Sequence, residues 1–345
     1  MKAVTIGSYG DSSVLHLVED LPRPIPQPHQ ILVNIKSSSI NPIDVMKRQG
    51  YGKTIFEKQR KNTFPWILGS DFSGVVAGVG NKVTRIKEGD EVWGCTSSPN
   101  SGTYCDYSIF NQEEVSFKPK NLSFSEAATI PYAALTTWSG IVRWAGLRPL
   151  DLKDKRVLIK AASGGVGTIA VQLLKHWGAF ISTTSSEKNK DLLSNLGADN
   201  TINYQKECFS KLLTDYDLVY DCLGYFGGDE EVKKSISILH KISTSNYITL
   251  NHPFIKEIDS KGLLRGLPSA LMKRQNMKRL YSPIGVHWSL YRPSLSGLEE
   301  IGRLVNEGII KPVIDSSIEL DEIQKGHIRM ESSRTVGKIS LNIND

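Results

Sequence analysis

The sequence predicts an α/β protein in which a β-rich domain is joined to a doubly wound parallel sheet that binds a dinucleotide. Three observations carry this. Residues 156–175, RVLIKAASGGVGTIAVQLLK, run from an apolar strand pattern through a glycine turn into an amphipathic helix pattern. Residues 1–129 consist of short alternating runs broken by turn residues, as antiparallel, partly closed β structure requires. Beyond Val157, apolar runs alternate with helical stretches, the pattern of strands joined by crossover helices.

Taken in order, residues 2–6, 15–18 and 30–36 read as the first strands, with the proline-rich 21–28 as a stiff connector. Residues 39–52 join a strand to a short helix and a polar loop, a lining for a cleft. Residues 64–76 and 89–94 read as strands bent at glycines. In the second domain, strands are expected at 157–160, 180–184, 201–204, 218–222, 247–250 and 282–287. Residues 293–307 read as its last helix, and 253–280 as helices inserted before the last strand. The domain plan is therefore 1–129 with 308–345, and 130–307 carrying the 253–280 insertion.

A chain of 345 residues with 39% hydrophobic and 23% charged residues has the composition of an ordinary globular protein. The net charge of +6 is scattered, with no basic block interleaved with aromatics, which argues against nucleic-acid binding. The basic cluster Lys273, Arg274, Lys278 and Arg279 reads as a solvated helix face. Cys95, Cys105, Cys208 and Cys222 lack CxxC spacing and read as reduced thiols. No apolar run is long enough to span a membrane. A strand pattern begins at the first residues, so no leader is expected and a cytoplasmic location is the default.

Ser163, Gly164, Gly165, Val166 and Gly167 form the candidate cofactor turn. Glycines let the backbone turn tightly, let a pyrophosphate reach the N–H groups at the helix N-terminus, and let the helix lie close on its strand. An NAD enzyme would place an acidic residue at the end of the second strand, to bind ribose hydroxyls and repel a 2′-phosphate. Here that strand runs into Ser185, Ser186, Glu187 and Lys188. Two hydroxyls and a lysine suit a dianion. Glu187 is discordant unless it sits in the first turn of the following helix. NADPH is the expected cofactor, with a plain polar helix cap as the alternative reading of residues 185–188.

Residues 69–76 (GSDFSGVV), 89–92 (GDEV), 162–167 (ASGGVG), 196–199 (LGAD) and 337–339 (GKI) together resemble the medium-chain dehydrogenase/reductases, and more closely their zinc-free quinone oxidoreductase branch. Residues 41–45, 50–52, 68–71, 131–136 and 247–250 are most similar to a mitochondrial, NADPH-dependent group of that branch linked to coenzyme Q. The resemblance implies a GroES-like catalytic domain plus a Rossmann cofactor domain, with the active cleft between them. It places Tyr132, Thr136, Tyr204, Cys222, Leu223, Gly224, Leu250, His287 and Lys338 around the cofactor. It also implies a mitochondrial location, a homodimer paired through the edge strand near residues 283–288, and a protein partner.

The alcohol dehydrogenases of the family use a catalytic zinc held by thiolate and imidazole. In this chain Asn41 stands where a ligand cysteine would be, and Ser70 and Asp71 replace a His-Glu pair, so no metal site is expected. Without a Lewis acid, simple alcohol oxidation loses its alkoxide stabilisation, whereas a quinone or enone accepts hydride with only hydrogen-bond donors at its oxygen. Asn41 is the candidate donor, Tyr51 the candidate proton donor, and Asp44 the residue that orients their loop. Asn41 as a plain turn residue before Pro42 is an equal alternative. The expected function is an NADPH-dependent quinone or enone oxidoreductase. An NADPH-binding scaffold or sensor with little turnover, and an enoyl-thioester reductase, are the alternatives.

Overall fold

The computed structural model describes residues 1–59, 64–96, 98–223, 228–250 and 252–344. Two units emerge: one formed by 1–135 with 292–345, the other by 136–291.

In the first unit, the long strand Gln30–Ile40 alternates inward residues well enough to leave Ile31, Val33 and Ile35 fully buried. It is the centre of a sheet ordered Ile314–Glu319, Lys338–Asn342, Gln30–Ile40, Asp71–Val79, Glu91–Cys95 and Val115–Phe117, with Tyr107–Asn111 also paired to Gln30–Ile40. Phe72 and Phe110 stack at 3.8 Å between centroids inside this core, beside Val76, Val92 and Val115. A second core gathers Val4, Ile6, Leu15, Ile40, Leu68 and Ile339. The C-terminal return is antiparallel, with Ile339 opposite Ile40.

The helix Leu295–Asn306 differs from expectation. It belongs with the β-rich unit rather than with the nucleotide sheet, and the boundary falls at Arg292. Its stripe of Leu298, Ile301, Leu304 and Val305 is buried, Asn121 Nδ2 donates to the Val305 carbonyl at 2.7 Å, and Arg85 pairs with Glu299 at 3.4 Å. Helical periodicity says that a stripe must be covered, not which sheet covers it.

The second unit is a six-stranded parallel sheet ordered Asn200–Asn203, Phe180–Ser185, Arg156–Lys160, Leu218–Asp221, Asn246–Thr249 and Gly285–Trp288. Arg156–Lys160 is central, and its Val157, Leu158 and Ile159 are fully buried, which explains its continuous apolar run. The helix Gly165–His176 covers it with Ile169, Ala170, Val171, Leu173 and Leu174. Gly285–Trp288 is an edge strand. The insertion forms one element, Phe254–Leu280, with a break at Gly262. Among the described residues, no helix is long and apolar enough to cross a membrane.

Replacing Phe110 by Ala removes a fully buried ring from the stacked pair and leaves a cavity. We expect a loss of about 3–5 kcal/mol, read as a lower urea midpoint by circular dichroism.

Candidate functional site

In the nucleotide unit, the chain leaves the central strand through Ala161, whose φ of 52° reverses its direction. The neighbouring strand pins this turn: Ala161 N–H donates to Thr184 Oγ1 at 3.1 Å and Ala162 N–H to the Thr184 carbonyl at 3.2 Å. Ser163 and Gly164 complete the turn, and the helix begins at Gly165. A Cβ on Gly167 would lie 2.6 Å from Ala162 Cα, so only glycine lets helix and strand meet so closely. A Cβ on Gly164 would meet nothing nearer than the Ala161 carbonyl oxygen at 3.6 Å, so the ground over the turn is open. The first N–H groups of the helix lack intrahelical acceptors and lie at its positive end. These residues fit a pyrophosphate.

At the end of the second strand, Ser185 is buried and its hydroxyl donates to the Ser186 carbonyl at 3.0 Å. Glu187 opens the short turn Glu187–Asn189, and Lys188 beside it is exposed. The Glu187 carboxylate accepts from Asn203 Nδ2 at 2.9 Å and lies 3.6 Å from Lys206 Nζ. That hydrogen bond, with Lys206 second, holds its pKa below the usual glutamate value. Tyr204 is 61% exposed, and its N–H donates to the Ser185 carbonyl at 3.2 Å. Thus Ser185 and Tyr204 are joined through the main chain, and Ser186 and Lys188 lie in or beside the turn that follows Ser185. Asn203 and Lys206 join them without having been singled out from the sequence, where the polar run that follows the third strand was the available signal.

Asp221 ends the fourth strand fully buried among Lys160 Nζ at 3.7 Å, Tyr247 Oη at 2.8 Å and the Leu223 N–H at 3.1 Å. Burial and, secondarily, Asp221 push the Cys222 thiol well above its ordinary pKa, which disfavours the nucleophilic thiolate. Gly224 lies outside the described residues. Leu250 N–H donates to the Asp221 carbonyl at 3.1 Å. Thr136 Oγ1 is buried with no partner among the described residues, a polar atom left for a ligand. His287 is not brought to this end of the sheet. Its Nε2 meets Asn246 Oδ1 at 2.9 Å, and Asn246 is the first residue of the neighbouring strand, whereas the turn lies at the strands' carboxyl ends.

The β-rich unit holds a buried polar cluster. Asn41 is extended (φ −113°, ψ 153°) and precedes Pro42, which starts the helix Pro42–Arg48. Asp44 in the first turn accepts from Asn41 N–H at 2.9 Å and from Ser70 Oγ at 2.7 Å. Burial raises its pKa, against the opposing charge of Lys47. Asp71 is the hub. Its Oδ2 accepts from Ser39 Oγ at 2.6 Å, Asn41 Nδ2 at 2.9 Å and Lys338 Nζ at 3.1 Å, and its Oδ1 from Tyr132 N–H at 2.6 Å. Lys338 also donates to Asn41 Oδ1. The Lys338 side chain, expected at the cofactor, is therefore engaged inside this cluster because a buried carboxylate requires a counter-charge. Tyr51 is half-buried just beyond the helix, its N–H on the Met46 carbonyl at 2.9 Å.

Two family models match the chain: an alcohol dehydrogenase GroES-like domain over residues 27–138 and a zinc-binding dehydrogenase over residues 196–341. The Mus musculus protein named NAD(P)H oxidoreductase RTN4IP1, mitochondrial, is 34% identical over 354 residues, covering 99% of this chain and 89% of its own. A Solanum lycopersicum protein named 2-methylene-furan-3-one reductase is 31% identical, covering 99% of this chain and 79% of its own. The solved structure of the quinone oxidoreductase from Coxiella burnetii superposes with a TM-score of 0.80 at 30% identity, covering 100% of this chain and 99% of its own. The zinc in one family description does not fit the donors here. Asn41 and Asp71 are both bonded to the Lys338 ammonium, a fixed cation that would repel a divalent one. Among the described residues no group of three His, Cys, Asp or Glu could hold a metal ion.

Lys338→Met leaves the Asp71 carboxylate buried without its cation. It should destabilise the protein by about 3–5 kcal/mol in urea unfolding. A second prediction concerns acid. Burial depresses His252 and His287 to about 4 and His327 to about 3. Their folded pKa values lie below the unfolded value of about 6.5, so the unfolded chain takes up protons first. Stability should hold above that value and fall, on the order of a few kcal/mol per ring, as pH drops from about 6.5 toward 4. His327→Gln should flatten that slope in urea titrations across this range.

Proposed function

We propose that this chain, which belongs to the medium-chain dehydrogenase/reductase family and is an NAD(P)H oxidoreductase of the quinone oxidoreductase type, uses NADPH to reduce a quinone or another conjugated carbonyl without zinc. The observation that carries the reading is the Asn41–Asp71–Lys338 cluster, in which an ammonium occupies the ground between the groups at metal-ligand positions. Such a site offers hydrogen bonds rather than a Lewis acid, and an electron-poor acceptor needs no more. The tomato relative is named for reduction of an enone, and the Coxiella neighbour is a quinone oxidoreductase, which supports the same acceptor class.

NADPH would supply the hydride. The chain's own groups bind and orient. The turn from Ser163 to Gly167 would take the pyrophosphate, and Thr136 Oγ1 has hydrogen-bonding capacity to spare. Ser186, Lys188, Tyr204 and Lys206 would receive the 2′-phosphate, with Glu187 drawn aside by Asn203 and Lys206. Asn41 is held by Lys338 at its carbonyl and gives one amide hydrogen to Asp71, which leaves its second hydrogen for the oxygen that becomes negative. Asp44 fixes the loop by its bonds to Asn41 N–H and Ser70. Tyr51 serves as the proton donor in this reading. The mouse relative is named mitochondrial, and we place this chain's work there on that ground.

The test is nicotinamide oxidation by purified protein with a short ubiquinone, phenanthrenequinone or an enone. We expect turnover with NADPH, weak turnover with NADH, and a loss of at least about tenfold in Gly165→Asp, roughly 1.4 kcal/mol of transition-state binding. Lys206→Ala should raise KM for NADPH by about tenfold while hardly changing KM for NADH. Equal use of both nucleotides would overturn the cofactor assignment. Tight NADPH binding without turnover on any acceptor would instead favour the scaffold reading.

A further inference from the structure

We propose that the outward face of the inserted helix docks on an anionic phospholipid bilayer. The element Phe254–Leu280 is broken at Gly262 (φ 72°, ψ 167°), which separates a short arm from a longer one. The arms are held closely together. A Cβ on Gly266 would lie 2.4 Å from the Glu257 carbonyl oxygen and 2.5 Å from Ile258 Cα. Glu257, on the short arm, clamps them through an ion pair to Lys273 and a hydrogen bond from Ser269 Oγ at 2.7 Å, and Lys261, also on the short arm, donates to Ser269 Oγ at 2.8 Å. The longer arm buries Gly266 and Ala270, and Met277 packs against the core of the sheet. Arg274 turns inward over the Trp144 ring at 5.6 Å.

The opposite face of the longer arm carries leucines where a surface helix should carry polar groups. Leu264 is 92% exposed, Met272 64%, Leu271 48% and Leu267 37%. Spacings of three and four put Leu264, Leu267 and Leu271 on one stripe. Exposed Arg265 flanks it, and exposed Lys278 and Arg279 continue the same side farther along. Residues 263–281 contain five basic residues and no acidic one. A contiguous apolar patch on a firmly held helix marks a contact surface.

Charge selects the occupant. Isologous pairing with a second copy would set this uniformly basic stretch against itself. An anionic bilayer takes leucines at the acyl boundary and receives Lys and Arg at its phosphates. The reading goes beyond the hydride chemistry and does not depend on it.

The experiment is co-sedimentation of the full chain with phosphatidylcholine vesicles, with and without phosphatidylglycerol. The wild type should bind only the anionic vesicles, and less as salt rises. Lys278→Glu with Arg279→Glu should weaken binding by at least about tenfold, because each cation near an anionic surface is worth roughly fivefold. Leu264→Glu with Leu271→Glu should abolish it. Both variants should keep wild-type circular dichroism and turnover with a soluble quinone. A reductase that ignores the vesicles would sink this proposal alone, and a vesicle-binding protein without turnover would sink only the reductase reading. Equal binding to both vesicle types, or unaltered binding by the variants, overturns the docking face. Light scattering that shows the leucine pair converting a dimer to a monomer would assign the face to a second copy and overturn it too.

Discussion

A buried carboxylate needs a partner, and much of the β-rich unit is organised by how Asp71 obtains its partners. Its side chain gathers a hydroxyl from the long strand, an amide from the residue before the first helix, a main-chain N–H from Tyr132, and an ammonium from the last strand. These groups come from positions 39, 41, 132 and 338, so the charge is satisfied only when distant segments have closed on one another. The same closure aims Asn41. Its carbonyl is claimed by Lys338 and one amide hydrogen by Asp71, so the orientation of the whole amide is fixed by packing.

The nucleotide unit depends on a different constraint, that of close approach. Gly167 lets the helix sit on Ala162, and Thr184 ties the preceding turn to the next strand through two bonds. The helix end is thereby aimed by the sheet itself. This is why the strand, turn and helix were legible from residues 156–175: every part of the signal is local in sequence and repeats a known period.

What local pattern could not disclose lies in the long-range pairings. Leu295–Asn306 shows its apolar stripe plainly, yet the stripe is equally compatible with either unit, and only the contacts of Asn121 and Arg85 reveal which one covers it. Lys338 was expected at the cofactor from the resemblance, and its pairing with Asp71, 267 positions away in the sequence, left no local signal. His287 sat in the right strand, but its ring reaches back to Asn246, and no periodicity distinguishes the two ends of a strand. Asn41 was singled out because it stands where the family's zinc enzymes carry a ligand cysteine, and Asp44 as the residue orienting its loop; the structure joins them to one another, whereas Tyr51 lies beyond the helix they begin.

Glu187 shows how a single charge can mislead when its neighbours are ignored. A carboxylate after the second strand repels a 2′-phosphate only if its field is uncompensated at that point. Here Asn203 Nδ2 and Lys206 engage it, and the lowered pKa follows mainly from that hydrogen bond, with the lysine second. Lys206 therefore balances the glutamate. Lys188 adds another cation in the short turn Glu187–Asn189. The local sum is positive by one charge across Glu187, Lys188 and Lys206, counting one acid against two bases. A glutamate read from the sequence as an isolated negative charge thus sits in a compensated environment.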